Sequence, residues 1–394
     1  MQENLTSHNS PARKHYDYII CGAGCAGLSL LLRLLRTPYL QQKKILIIDQ
    51  DHKTKNDRTW CFWEKQNGVF ENIVHHRWSQ LQFKSDDYSS QFSIKPYQYK
   101  MIRGIDLYEH VIAAANNFPN IEFKIEKVIH LSSENEQAVV ETENNIYTSD
   151  YVFNSILFEK ISPAKNKYLL LQHFKGWMIE TDKPCFNPAV ATFMDFTVQQ
   201  THGTTFMYVL PVSENKALVE YTLFTENILK PEEYDTALRK YVFQTLKINE
   251  YKISHEEFGI IPMTNQKFAK NVGRIINIGT AGGQTKASSG FTFQFIQKQS
   301  NRIIDSLVKN EALISATNLR HRKFKFYDSV LLNILAKKKM SGEKIFTRIF
   351  QNCSPQTILK FLDNESDLFD DLEIIYSLPT LKFFTAGLKE ISIK

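Results

Sequence analysis

Residues 19 to 30 read IICGAGCAGLSL, and no other short stretch of the chain restricts its fold as strongly. Gly22, Gly24 and Gly27 stand in the spacing GxGxxG, between the apolar run YDYIIC (16–21) and a segment of helical periodicity, CAGLSLLLRLLR. That segment stops at Thr37-Pro38, where proline cannot continue a helix. In such a turn the first glycine permits the tight bend, the second lets the backbone approach a pyrophosphate, and the third allows the helix to pack close on the strand. A second apolar run, KKILIID (43–49), closes on Asp49, which puts an acid at the expected distance of about 20 residues beyond the turn. The pattern predicts strand, turn, helix and strand around a dinucleotide. Gly22, Ala23, Gly24, Ala26 and Gly27 would surround its phosphates, helped by the amides and positive end of the helix. Asp49 would accept hydrogen bonds from a ribose.

Further along, GRIINIG (273–279) returns to a parallel-sheet strand, and TAGGQTKASSG then leads into the helical pattern FTFQFIQKQSNRIIDSLV. One N-terminal fingerprint with a distant second glycine loop is the arrangement in which a single extended cofactor threads the whole domain, so FAD is favoured over NAD. Gly279, Gly282 and Gly283 join the candidate cofactor residues. Arg103, just before the helical stretch 104–117, is a candidate for the pyrophosphate or adenine side, and a helix-start arginine with a purely structural role is the competing reading.

The 394 residues are 43% hydrophobic and 23% charged, enough for a large core and two interleaved domains. Short alternating runs between 81 and 150, and again between 170 and 225, predict strands. The expected division is a tail over 1–15, a discontinuous cofactor domain over 16–165 and 255–312, a sheet-based substrate domain over 166–254, and a helical region over 313–394. The net charge of +6 is spread along the chain, and without a concentrated basic arm no nucleic-acid partner is expected. Five cysteines without a CxxC pair suit a reducing cytoplasm. The polar N-terminus lacks the apolar core of a secretory signal, and no run of 18 apolar residues is free of charge, so a cytoplasmic chain without a spanning helix is expected. His75-His76 has no partner spacing for a metal, and none is expected. With 28 Phe, 17 Tyr and 4 Trp the chain can build either a bulky core or a large apolar cavity.

NDRTWCFW (56–63), FMDFTVQQTHGTTFMYVLPVSENKALVEYTLF (193–224) and GGQTKASSGF (282–291), taken with the fingerprint, resemble the flavin-containing lycopene β-cyclases of carotenoid-making bacteria, in order from about residue 16 to residue 300. The resemblance implies an α/β fold with α+β elements: a Rossmann-like FAD domain of the aromatic-hydroxylase type, an antiparallel-sheet substrate domain and a helical C-terminal region. It also implies a non-redox isomerase that holds reduced FAD, with NAD(P)H as electron donor and lycopene and related acyclic carotenoids as substrates. The family's essential acid lies in a glutamate-threonine type of motif at the end of a strand. The matching stretch is Leu218-Val219-Glu220-Tyr221-Thr222, which makes Glu220 the candidate acid. Plant forms of the motif carry two adjacent acids, whereas Tyr221 fills the second place here. Asp195, in the preceding strand, is a secondary candidate.

Forming a ring from a lycopene end group needs a proton delivered to a terminal double bond, attack on the cation by the neighbouring alkene, and loss of a different proton. A carboxyl group enclosed by Phe193, Phe196, Phe206, Tyr208, Tyr221 and Phe224 would be poorly solvated as an anion and would arrive protonated at neutral pH. An anionic reduced flavin and aromatic faces would stabilise the cation, with the helix starting near Ser289-Gly290 favouring that anion. The alternating strand also allows Glu220 to face solvent. Of Glu256 and Glu257 at most one can face a given pocket. The basic amphipathic stretch VLLNILAKKKMSGEKIFTRIF (330–350) is read either as a solvated face packed on its own domain or as a contact with the inner face of an anionic membrane. A flavin monooxygenase and a non-catalytic carotenoid- or lipid-binding flavoprotein are the rival functions.

Overall fold

A computed structural model describes residues 14–134, 136–313 and 319–392. The tail expected over 1–15 falls outside them except for Lys14 and His15, which open the first strand. That strand, Lys14–Cys21, is the centre of a sheet of eight strands among the described residues and pairs in parallel with Ile45–Asp49 on one side and Ile146–Asn154 on the other. Ile121–Ile125 and Ile275–Asn277 extend the parallel set outward. Their Ile- and Val-rich sequences suit strands covered on both faces. The helix Cys25–Arg36 packs against this sheet with ten of its twelve residues buried, so its leucines serve the core on almost every side.

The second sheet has seven strands among the described residues. It runs from Lys252–Thr264 through Leu169–Glu180, Lys216–Thr225, Thr204–Ser213 and Val190–Asp195 to Gln80–Ser85 and Tyr88–Ser93. It therefore takes in segments on both sides of the interval 166–254. Gln80–Ser85 joins it by parallel pairing with Val190–Asp195, Leu81 opposite Ala191, a choice of partner that local alternation does not encode. One face of the sheet packs on the helix Pro231–Gln244, through Trp177, Met207, Val219 and Tyr241. The other shares a core with the C-terminal helices, where Phe193, Phe196 and Phe206 meet Phe346 and Phe350. The helical region is thus part of the same hydrophobic core as the sheet. A small antiparallel sheet, Thr59–Glu64 with Gln98–Arg103 and His76–Trp78, lies alongside.

Candidate active site

A cleft of about 780 Å³ runs from the glycine turn to the second sheet, toward the large end of the 300–1,000 Å³ or so usual for ligand sites. At one end lie Gly22, Gly24, Ala26 and Asp49, with Glu126 to Val128 nearby. Gly22 adopts φ +98°, and a Cβ on Gly27 would come within 2.0 Å of the Gly22 carbonyl, so these two glycines make the turn and the helix contact possible. A Cβ on Gly24 would meet nothing within 4 Å. That position opens onto empty space where the helix Cys25–Arg36 begins, and no side chain caps its first amides. Ala23 and Gly27 support the turn from behind. The Ala23 amide donates to Asp49 Oδ2 at 2.7 Å, and the Asp51 amide donates to Oδ1 at 2.9 Å. Lys53 Nζ stands 3.4 Å from Oδ2. A carboxylate has about four acceptor sites, so Asp49 can still receive a hydroxyl from the cleft.

Arg103 is not part of this cleft. Its guanidinium is taken by Asp106 in a bidentate pair at 2.7 and 2.6 Å, one turn into the helix Gly104–Ala115 that it precedes. The cleft's arginine is Arg58, from the loop before Thr59–Glu64. Its position within NDRTWCFW was the available signal. The second glycine loop divides. Gly279 lines the cleft, whereas Gly282 packs against the Asn277 carbonyl and Gly283 against Phe268. Gly290 lines it as well, at φ +72°, where a Cβ would lie 1.7 Å from Gln172 Oε1. That Gln172 oxygen is buried without a hydrogen-bond partner. The helix expected near Ser289-Gly290 begins at Phe293, its Thr292 N-cap also bare of a side-chain bond.

At the far end a row of residues crosses the large sheet. Tyr208 stands opposite Glu220, Glu220 opposite Gly176, and Gly176 opposite Glu257. With strands about 4.8 Å apart, the two glutamates start roughly 10 Å from each other at the backbone. The Glu257 side chain leans over the glycine, where a Cβ would lie 3.1 Å from its Cγ and 3.0 Å from Leu218 Cδ1, and its carboxyl comes within hydrogen-bonding reach of Glu220. Glu220 is half-buried with its free face on the cleft, and Glu257 is 5% exposed. Tyr99, Trp60, Cys61 and Phe291 complete this end. Burial, reinforced by the facing carboxyl of Glu257, pushes Glu220 up to about 8; the Thr222 hydroxyl, donating to Oε1 at 2.7 Å, opposes the shift. Burial also raises Glu257, to about 7, against the pull of Thr59 and Arg58. Such a pair titrates as a unit, and it holds at least one proton at neutral pH.

Strand register separates the remaining candidates. Asp195 is fully buried but stands opposite Met207 on the other face of the sheet, where it accepts from the Tyr241 hydroxyl at 2.7 Å and the Thr197 amide at 2.9 Å. It does not reach the cleft. Tyr221, expected beside the Glu220 carboxyl, also packs on the helix side. Glu256 turns to that side too and pairs with Lys175 at 3.1 Å. Glu257, which the sequence could only offer as one of two, is the member in the cleft. Gly176 carried no sequence signal at all.

The fold is that of a wide group of flavin enzymes. Its solved relatives include the flavin-dependent brominase Bmp2, at TM-score 0.63 and 11% identity over 89% of this chain and 94% of that one. A flavoprotein/dehydrogenase from Cytophaga hutchinsonii matches at TM-score 0.61 and 11% identity, over 97% and 100% of the two chains. A geranylgeranyl bacteriochlorophyll reductase-like protein from Thermoplasma acidophilum matches at 0.56 and 12%, over 96% and 99%. At these identities the likeness concerns fold alone. The family model described as lycopene cyclase protein matches residues 17–387, and the chain belongs to that family. The lycopene beta-cyclase of Pantoea ananas is 27% identical over 235 residues, which are 55% of this chain and 55% of that protein, so the match spans about half of each.

Proposed function

We propose that this protein is a flavin-dependent lycopene β-cyclase, converting the acyclic end groups of lycopene to β rings without net oxidation. The observation that carries the reading is a half-buried carboxyl, Glu220, whose surroundings favour its protonated form, at the aromatic end of a cleft whose other end is a dinucleotide turn, in a member of the lycopene cyclase family.

The cleft suits FAD. The uncapped amides after Gly24 and the space in front of it fit a pyrophosphate, and Asp49 has acceptor capacity left for a ribose. Near the glutamates, the close approach allowed by Gly279 and Gly290 and the unpartnered Gln172 oxygen fit a flat heterocycle with an N–H to donate. Held there by Gly24, Asp49, Gly279, Gly290 and Gln172, reduced FAD would supply negative charge to the site, and NAD(P)H is the expected source of its electrons.

Glu220 delivers its proton to the terminal double bond, which generates a tertiary cation. The faces of Tyr99, Tyr208 and Phe291 attract that cation, and their bulk keeps water from capturing it. Gain of one proton and loss of another leave an isomer, so no electrons are consumed. Lycopene is a membrane hydrocarbon, and the protein is proposed to meet it at the cytoplasmic membrane surface. In support, the last two helices expose Phe369 at 84%, Leu381 at 76% and Phe384 at 61%, while among the described residues no helix is long and apolar enough to cross a bilayer.

The deciding experiment is anaerobic incubation of the protein, its FAD reduced beforehand with dithionite, with lycopene in liposomes and no NADPH. Repeated formation of γ- and β-carotene per flavin is the expected result. An oxygenated product formed only when air and NADPH are supplied would replace the cyclase with a monooxygenase.

A further inference from the structure

Closing the ring leaves a second proton to be removed, and the geometry points to its acceptor. We propose that Glu257 is a second catalytic carboxyl: it takes the proton given up by the cyclised end group and returns it to Glu220. The proposal rests on the cyclase reading above and extends it to the half of the reaction that Glu220 alone does not perform.

Three observations support it. Glu220 and Glu257 occupy one row on one face of the sheet, on the two strands that flank Gly176; the missing side chain of that glycine leaves room for the Glu257 side chain, whose carboxyl comes within hydrogen-bonding reach of Glu220. Glu257 lines the same cleft, yet its Oε2 is buried with no hydrogen-bond partner in the protein. An unsatisfied oxygen on a buried acid is costly, and it leaves a residue of the cleft wall with a vacant acceptor for a proton. Finally, the surroundings of the two carboxyls differ. Thr59 and Arg58 favour the anion of Glu257, with Asp57 opposing them. Thr222 alone does so for Glu220, and the other groups facing the pair are Cys61, Tyr99 and Tyr208, all uncharged. These partners bias the shared proton toward Glu220 and the negative charge toward Glu257.

The cycle balances. The π pair of the terminal double bond forms the new C–H bond with the Glu220 proton, leaving a cation on the adjacent carbon. The neighbouring double bond supplies the pair that closes the ring and moves the cation one carbon further. Glu257 removes a proton from the ring carbon beside that cation, and the C–H pair becomes the ring double bond. The carbon that gained a proton and the carbon that lost one are both bonded to the same ring carbon, so two carboxyls that face each other can serve both. Passage of the proton from Glu257 to Glu220 restores the starting state with no oxidant or reductant.

The test compares wild type, Glu257→Gln and Glu257→Asp, each loaded with reduced FAD, in the anaerobic lycopene assay. In parallel, the infrared stretch of protonated carboxyl is titrated without substrate. Loss of a general base is worth about 10²- to 10⁴-fold, so Glu257→Gln should turn over at least ~100-fold more slowly while retaining FAD, and Glu257→Asp should recover part of the rate. Read as the difference from Glu220→Gln, which removes the background of other buried acids such as Asp363, the wild-type carboxyl band should titrate in two coupled steps and that of Glu257→Gln in one, at lower pH, because Glu220 has lost a like charge. Wild-type turnover in Glu257→Gln, or a Glu220 band that titrates unchanged in it, overturns the proposal and leaves the cyclase reading standing. Absence of cyclic product from wild type overturns both. If Glu257→Gln does not retain FAD, Glu257→Asp decides: a band titrating in one step refutes the shared proton.

Discussion

Two carboxyl groups placed where water reaches only through a cleft hold their protons more tightly than free glutamates do, and this gives activity and stability the same pH trend. Catalysis that begins with proton donation by Glu220 should fall as pH rises through the apparent values of the pair, about 7 and about 8, and should be maximal below them. The stability contribution has the same sign. Folded-state affinities lie above the ordinary 4.5, so the native state binds more protons than the unfolded chain. The contribution is complete below about pH 4.5 and is lost as pH climbs through the folded values. Replacing Glu220 with Gln should flatten this alkaline loss in a series of melting curves while cutting cyclisation at least ~100-fold. A melting temperature that declines toward alkaline pH as steeply as in wild type would count against the shared proton.

The glycine turn offers a second residue-scale contrast. Gly27→Ala drives a Cβ into the Gly22 carbonyl and should cost about 1–3 kcal/mol of stability. Gly24→Ala meets no protein atom, so chemical denaturation should show the fold nearly unharmed while fluorescence titration shows FAD affinity reduced. Equal destabilisation by both would mean that Gly24 is not reserved for a ligand.

At the scale of elements, strand register decided which acids could work. In Val190–Asp195 a bulge between Thr192 and Asp195 breaks the alternation, so that Phe193 turns toward the shared core while Asp195, two residues on, turns toward the helix Pro231–Gln244; an acid that is close in sequence is on the wrong side of a sheet. The C-terminal helices show the same logic on the surface. The basic amphipathic stretch is packed on its own protein, with Ile345, Phe346, Ile349 and Phe350 buried. Unmatched apolar side chains appear instead on Leu368–Ser377 and Thr380–Ser392, as Leu368, Phe369, Tyr376, Leu381, Phe384 and Ile391. Lys337 and Lys389 lie beside each other near this stripe, both exposed, a charge pattern complementary to anionic lipid. Because each large side chain is worth about 1.5–3 kcal/mol on burial, Leu381→Glu with Phe384→Glu should weaken binding to anionic vesicles at least ~10-fold in co-sedimentation. Unchanged binding, or no binding by the wild type, would count against a membrane contact through these helices.

Across the whole molecule, the cleft depends on segments far apart in sequence. Lys286, in the loop that ends at Gly290, has a fully buried ammonium 2.8 Å from Asp328 and 2.7 Å from Asn364 Oδ1. Ser288 donates to the same aspartate at 2.6 Å. The C-terminal helices thereby hold the loop on the cleft. Asp328→Asn leaves a buried cation without its counter-charge and should cost about 3–5 kcal/mol, read by urea denaturation. A loss below about 1 kcal/mol would show that Lys286 escapes to water. The sequence by itself determined what depends on near neighbours along the chain. The turn at Gly22, Gly24 and Gly27, the helix it starts and Asp49 at the end of the next strand all rest on local sterics and spacing, whereas Glu220 was singled out by the resemblance of its motif, its strand alone leaving its face open. Only the tertiary structure decided that Arg103 is consumed by Asp106 while Arg58 reaches the cleft, that 80–93 joins the second sheet, and that Glu257 meets Glu220 over Gly176. The physical reason is that these outcomes depend on which strands pair and in what register. A period of two along a strand says that neighbouring side chains part, but the face that becomes the cleft is set only when the partner strand arrives.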